Sequence, residues 1–164
     1  MSLESDLGRG TSFCIFLPRL AGPQALATSA AEPPVSRVRA ATILLVEDDP
    51  ALRVLLQRTL CAQGHTVLEA ADAAAGLELA RHFAGHLDLL LTDVVTPHGS
   101  GRELAEDLVK FHPEAAVIFM TGYTDDAVLL RGVRAHEVRL LRKPFPALAL
   151  SAALAELLGG PDSD

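Results

Sequence analysis

The stretch Ile43-Leu44-Leu45-Val46-Glu47-Asp48-Asp49-Pro50 changes character abruptly, from four apolar residues to three acids and a proline. An apolar run this short, bounded by acids, reads as a buried strand. Asp49 then offers an N-cap carboxylate and Pro50 suits the first helical position, so a helix begins there. Leu52, Leu55, Leu56 and Leu60 fall on one face of that helix, and Gly64 closes it.

The same alternation continues toward the C-terminus. His65 to Ala70 predicts a second strand, and Asp72 caps a helix running to about Phe83. Leu87 to Thr92 is a third strand, apolar except for Asp88 and Thr92. A helix from about Ser100 to Phe111 follows, with Leu104, Leu108 and Phe111 inward. Ala116 to Met120 is the fourth strand, followed by a helix through Val128 and Leu129 to Arg134. Val138 to Leu141 is a short fifth strand, and Ala147 to Leu158 the last helix. Five strands, each followed by a helix, predict an α/β domain with a doubly wound parallel sheet covered on both faces.

Toward the N-terminus the pattern breaks down. Residues 21–40 are rich in Ala, Pro and Ser and read as a linker. Residues 1–20 hold a leader, Met1-Ser2-Leu3, with no expected role in the fold. After it come the turn Gly8-Arg9-Gly10 and one strand, Thr11 to Leu17, stopped by Pro18. Without its own sheet, that strand is expected to be disordered or else to pair with another exposed strand edge. The predicted divisions are therefore 1–20, 21–40, a domain at 41–159 and a tail at 160–164.

Composition removes several functions. A net charge of −7 disfavours nucleic acid and anionic membrane as partners. Cys14 and Cys61 give no disulfide framework and suit a reducing compartment. No apolar run is long enough to cross a bilayer and no leader for secretion is visible, so a cytoplasmic location is expected.

Parallel α/β sheets carry their ligands beyond the carboxyl ends of the strands. Those positions hold Glu47-Asp48-Asp49, Asp93, Thr121 and Lys143. Singly, each has a plain role: Asp49 as a helix cap, Thr121 as a turn residue, Lys143 as a solvated cation. Together at four strand ends they form a constellation. Each pair of carboxylates about 4 Å apart costs roughly 4 kcal/mol at an effective dielectric near 20. Such a cluster must be protonated, hydrated or holding a cation, and its oxygen ligands suit Mg²⁺. A carboxylate beside the ion can serve as a phosphoryl nucleophile, with Lys143 and the Thr121 hydroxyl cradling the phosphoryl oxygens. Lysine itself is informative. The chain has twelve arginines and only two lysines, Lys110 and Lys143. A compact ammonium fits a small phosphoryl pocket better than a planar fork.

The segments Ile43 to Asp49, Asp88 to Asp93, Pro97 with Gly101, Met120-Thr121-Gly122 and Leu141 to Phe145 resemble the response-regulator receiver family of two-component signalling. The resemblance implies a flavodoxin-like sheet of order 2-1-3-4-5. It implies that Asp93 is the phosphoacceptor and Asp48 a direct Mg²⁺ ligand. Glu47 would act through water, and the main-chain carbonyl of Val95 would be a third protein ligand. It also implies a cis Lys143-Pro144 bond. The family's aromatic switch position is Leu140 here, and Thr96-Pro97-His98-Gly99 departs from the usual loop. The stretch Gly8 to Pro18 resembles the closing strand of a histidine-kinase ATP-binding domain. The expected parent is thus a hybrid sensor histidine kinase, with this segment alone too short to bind ATP. The expected partner is a phosphohistidine domain of a kinase, or a histidine phosphotransfer protein.

Two other readings compete. An aspartyl phosphatase needs a second acid two residues beyond its nucleophile, and that position is Val95. A degenerate receiver that only docks proteins is opposed by the complete set of acids, Thr121 and Lys143. A phosphoacceptor module, not a turnover enzyme, is the expectation.

Overall fold

The structure, a computed structural model, describes residues 2–6, 10–14, 16, 39–96, 99–122 and 137–159. Five parallel strands form one sheet: β3 (Thr42–Val46), β4 (Thr66–Ala70), β5 (Leu89–Asp93), β8 (Ala116–Thr121) and β9 (Val138–Arg142). Their order is β4-β3-β5-β8-β9, the predicted 2-1-3-4-5 counted within the domain. Among the described residues, four helices accompany them: α1 (Pro50–Ala62), α2 (Ala73–His82), α3 (Gly101–Leu108) and α4 (Ala147–Leu158). Two short strands, β6 (Val95–Thr96) and β7 (Gly99–Ser100), pair antiparallel just past β5.

Strand alternation explains the unbroken apolar runs. Ile43, Leu45, Leu89, Leu91, Ile118 and Met120 face α1 and α4, packing on Leu56, Leu60, Leu150 and Leu154. Leu44, Val46, Leu90, Val117 and Phe119 face the other way, onto Ala80 of α2 and Leu104, Ala105 and Leu108 of α3. Both faces of every central strand are dry, so neither can be polar.

The helix starts follow the expected chemistry. The Asp49 carboxylate accepts from the amides of Ala51 at 2.7 Å and Leu52 at 3.1 Å. Those bonds hold its pKa below the ordinary carboxylate value, backbone amides being the main cause. Asp72 caps α2 through Ala75 N–H at 2.8 Å, and Gly64 takes a φ of 92° where α1 ends.

Three expectations need correction. Leu55 is 60% exposed, because α1 buries a narrower stripe than its leucines suggested. Helix α3 ends at Leu108, and Phe111 lies beyond it, half exposed, with the Arg81 guanidinium 5.4 Å from its ring centroid. At the N-terminus, Gly10–Cys14 (β2) is not disordered. It pairs antiparallel with Ser2–Asp6 (β1), of which Ser2 and Leu3 belong to the expected leader, and Gly10 enters with a φ of 93°. The missing partner strand was supplied locally. This hairpin belongs to a separate compact unit, residues 1–35. The expected helix through Val128 and Leu129, most of the linker, Pro97, His98 and the tail lie outside the described residues.

At the amino rim of the sheet, Asp88 lies just ahead of β5. Its carboxylate accepts from Thr42 N–H at 2.7 Å and pairs with Arg39. Beside it His65 is 5% exposed; its Nδ1 accepts from Ala41 N–H at 3.3 Å and its Nε2 has no partner among the described residues. Burial lowers its pKa, against the opposing charge of Asp88. The unfolded histidine therefore takes a proton first, and stability falls as pH drops below about 6.5. The melting-temperature advantage of the wild type over His65→Gln should shrink between pH 7.5 and 5.5. A difference that is flat across that range would refute the assignment.

Candidate metal and phosphoryl site

Sheet register brings the predicted residues together. Val46 is level with Thr92, so Glu47 lies level with Asp93 at the carboxyl rim. Asp93 pairs with Met120, leaving Thr121 one residue further out. Thr121 pairs with Arg142, and the Lys143 amide donates to the Thr121 carbonyl at 2.6 Å. The Lys143-Pro144 bond is cis.

Lys143 Nζ lies 2.7 Å from Glu47 Oε2 and 2.7 Å from Asp93 Oδ1. Glu47 is 1% exposed, and its other carboxylate oxygen accepts from Asp49 N–H at 3.3 Å. Asp48 is exposed, yet Glu47, Asp48 and Asp93 each bring one oxygen within 4.8 Å of the others. Asp49 stays out of this group as the helix cap. Thr121 is buried at the same rim. Val95, in β6, is 64% exposed two residues past Asp93.

The electrostatics are those of a cation site filled by its own lysine. Burial raises the pKa of Asp93, with the Lys143 hydrogen bond opposing and the charge of Asp48 adding to the rise. Burial likewise raises Glu47, again against Lys143 and with Asp93 adding. Burial alone would lower Lys143, but its bonds to Asp93 and Glu47 and their charges carry it above its ordinary value. One ammonium thus faces two carboxylates, with a third in reach. An all-oxygen donor set with one exposed member, open to water, fits Mg²⁺, which keeps much of its hydration.

Two residues escaped sequence reading. Arg53, one turn into α1, donates from Nη1 to the Glu47 carbonyl oxygen at 2.7 Å. Nothing in its helical position announced a bond back to the strand end. Gly101 stood in the sequence motif without a stated reason; a Cβ there would sit 1.9 Å from the Asp93 carbonyl oxygen. Leu140, at the position of the family's aromatic switch, is an exposed aliphatic on β9.

A family model described as the response regulator receiver domain matches residues 43–155. The chain is 36% identical over 162 residues to the sensor kinase CckA of Brucella abortus (strain 2308), covering 94% of this chain and 17% of the kinase. It is 32% identical over 158 residues to the sensor protein EvgS of Escherichia coli (strain K12), covering 96% of this chain and 13% of EvgS. The crystal structure of the receiver domain from hybrid histidine kinase CckA aligns with a TM-score of 0.62 at 34% identity, covering 71% of this chain and 98% of that one. The chain thus spans less than a fifth of the length of these sensor kinases. With the sheet order, the acidic rim and the matched family in agreement, the chain belongs to the response regulator receiver domains of two-component signalling.

Proposed function

We propose that residues 41–159 accept a phosphoryl group from a phosphohistidine onto Asp93, with Mg²⁺ held by Glu47, Asp48, Asp93 and the Val95 carbonyl. The observation that carries this is the Lys143 ammonium, 2.7 Å from both Glu47 and Asp93 with Asp48 in the same cluster. An Asp93 carboxylate oxygen forms the new P–O bond as the donor's P–N bond breaks, and the electron pair leaves on the imidazole nitrogen. Lys143 gives up one carboxylate contact to meet the incoming phosphoryl oxygens, and the Thr121 hydroxyl receives another. Bound Mg²⁺ supplies charge neutralisation between the acids and the phosphoryl group. Val95 leaves no second acid where a phosphatase would need one, so the product is a signalling state and not the alcohol and phosphate of a hydrolysed ester.

The donor is a protein: a phosphohistidine domain of a kinase or a histidine phosphotransfer protein. Leu52, Leu55, Leu56 and Phe145 line an apolar groove of about 450 Å³ that Lys143 borders, which suits a helical surface arriving beside Asp93. The domain arrangement follows the same reading. Residues 1–20 close a histidine-kinase ATP-binding domain, 21–40 link, 41–159 receive and 160–164 form a tail. Supporting this, both sensor kinases match nearly the whole chain, whereas the receiver family model begins only at residue 43. The full protein is then a hybrid kinase whose receiver works in the cytoplasm. Among the described residues no helix is long and apolar enough to cross a membrane.

The test is transfer from a phosphorylated kinase core. Label should appear on this chain as a hydroxylamine-sensitive acyl phosphate and vanish when EDTA removes Mg²⁺. Label that survives EDTA, or that resists hydroxylamine, refutes the reading.

A further inference from the structure

Arg53 turns from the first part of α1 back over the acidic loop. Its Nη1 donates to the Glu47 carbonyl at 2.7 Å and lies 3.5 Å from the Asp48 carbonyl oxygen. The first is a full charge-assisted bond; the second is at the outer limit for one. We propose that Arg53 is a positioning residue for the cation site: it fixes the Glu47-Asp48 peptide so that the Asp48 carboxylate meets those of Glu47 and Asp93. This rests on reading the cluster as a Mg²⁺ site.

The three acids are not held alike. Glu47 is anchored through its side chain by Lys143 and by the Asp49 amide. Asp93 is anchored by Lys143. The Asp48 carboxylate is exposed and accepts no hydrogen bond among the described residues. Its direction is therefore set by its backbone. That backbone is the short bridge between a strand end paired on both sides and the helix cap. Arg53 is the side chain that ties the bridge down, while its own amide is bonded to the Asp49 carbonyl at 2.9 Å. Strand end, helix cap and guanidinium thus fix the peptide from three sides.

Arg53 also carries a positive charge, which already helps to hold Asp49 ionised. That charge repels a dication. Positioning and repulsion have opposite signs for Mg²⁺ affinity, so the experiment has a direction to decide. Residues that orient metal ligands typically change affinity by about 10- to 100-fold when removed.

Calorimetric Mg²⁺ titration of the full chain, wild type against Arg53→Ala and Arg53→Met, provides the test. Met keeps the stem over α1 and removes only the donors. Both variants should raise the Mg²⁺ dissociation constant about ten-fold, and Arg53→Lys, which keeps a charge and a donor, should recover part of the loss. Labelling by a small phosphodonor should need more Mg²⁺ yet reach the wild-type plateau. If Ala and Met bind Mg²⁺ as tightly as the wild type, or more tightly, the proposal is overturned. A lower melting temperature with unchanged affinity overturns it as well, since Arg53 would then only brace the helix. A wild type that binds no Mg²⁺ overturns the cation-site reading itself, and is thereby told apart from a failure of Arg53 alone.

Discussion

Asp93→Asn is expected to reduce phosphoryl incorporation to background and, without Mg²⁺, to make the domain more stable. The first effect follows from chemistry: a neutral amide oxygen is a poor nucleophile, and among the described residues no other acid takes its role. Glu47 is buried and bonded twice, Asp49 is spent on its helix, and Asp48, the exposed member of the cluster, is the acid assigned to the metal ion. The second effect follows from charge. Asp93 has its folded pKa raised, first by burial and then by Asp48, despite its bond to Lys143. A carboxyl raised in the fold binds its proton more tightly there than in the unfolded chain, so its contribution is lost as pH rises through the folded value. At neutral pH the ionised Asp93 therefore opposes folding, and asparagine removes that cost. The gain should be on the order of a few degrees in melting temperature, a fraction to one kcal/mol for a domain of this size. It should shrink on acidification toward the ordinary carboxyl range and fall again when Mg²⁺ stabilises the wild type. Labelling that persists in Asp93→Asn would remove Asp93 from the mechanism. A variant less stable than the wild type at neutral pH in EDTA would show that the Lys143 bond outweighs the burial.

The contrast between what the sequence disclosed and what it concealed has a physical cause. Strands β3, β5 and β8 announced themselves because both of their faces are dry, so their central positions are almost all apolar and polar residues gather at their ends. Asp49-Pro50 and Asp72 announced helix starts because capping is local, carried by a carboxylate two or three residues from the amide it accepts. Glu47, Asp48, Asp93, Thr121 and Lys143 were readable because parallel topology forces strand ends to one rim. Long-range contacts left no such trace. The bond from Arg53 to the Glu47 carbonyl depends on a side chain folding back along its own helix. The exposure of Leu55 depends on how much of α1 the partner helix α4 covers, which periodicity does not encode. The N-terminal hairpin was missed for a different reason. Two short strands form a marginal unit by themselves, so a lone strand signal argued for disorder until a partner appeared at Ser2–Asp6.

Replacing Gly101 should have a large effect. Gly101 opens α3, where its amide donates to the Val94 carbonyl at 3.1 Å. The helix start is thereby drawn against the segment that carries the phosphoacceptor. A Cβ at this position would lie 1.9 Å from the Asp93 carbonyl oxygen and 2.9 Å from Thr92 Oγ1. Neither neighbour can yield, because Thr92 and Asp93 are locked in β5 between β3 and β8. Alanine is the better helix former by about 1 kcal/mol, but overpacking against fixed backbone costs about 1–3 kcal/mol and at times more. The net effect of Gly101→Ala should be destabilising, with Asp93 displaced and Mg²⁺ bound more weakly. Gly76 in α2 is the control. Its added Cβ would meet Val46 Cγ2 at 2.9 Å and Leu104 Cδ2 at 3.4 Å, side-chain atoms and not backbone. Helix propensity offsets much of that contact, so Gly76→Ala should stay within about 1 kcal/mol of the wild type. Urea unfolding of the two variants separates the cases: backbone contact predicts a large loss only at Gly101. Equal midpoints for the two would mean that β5 gives way, and that the approach of α3 to Asp93 is not what requires glycine.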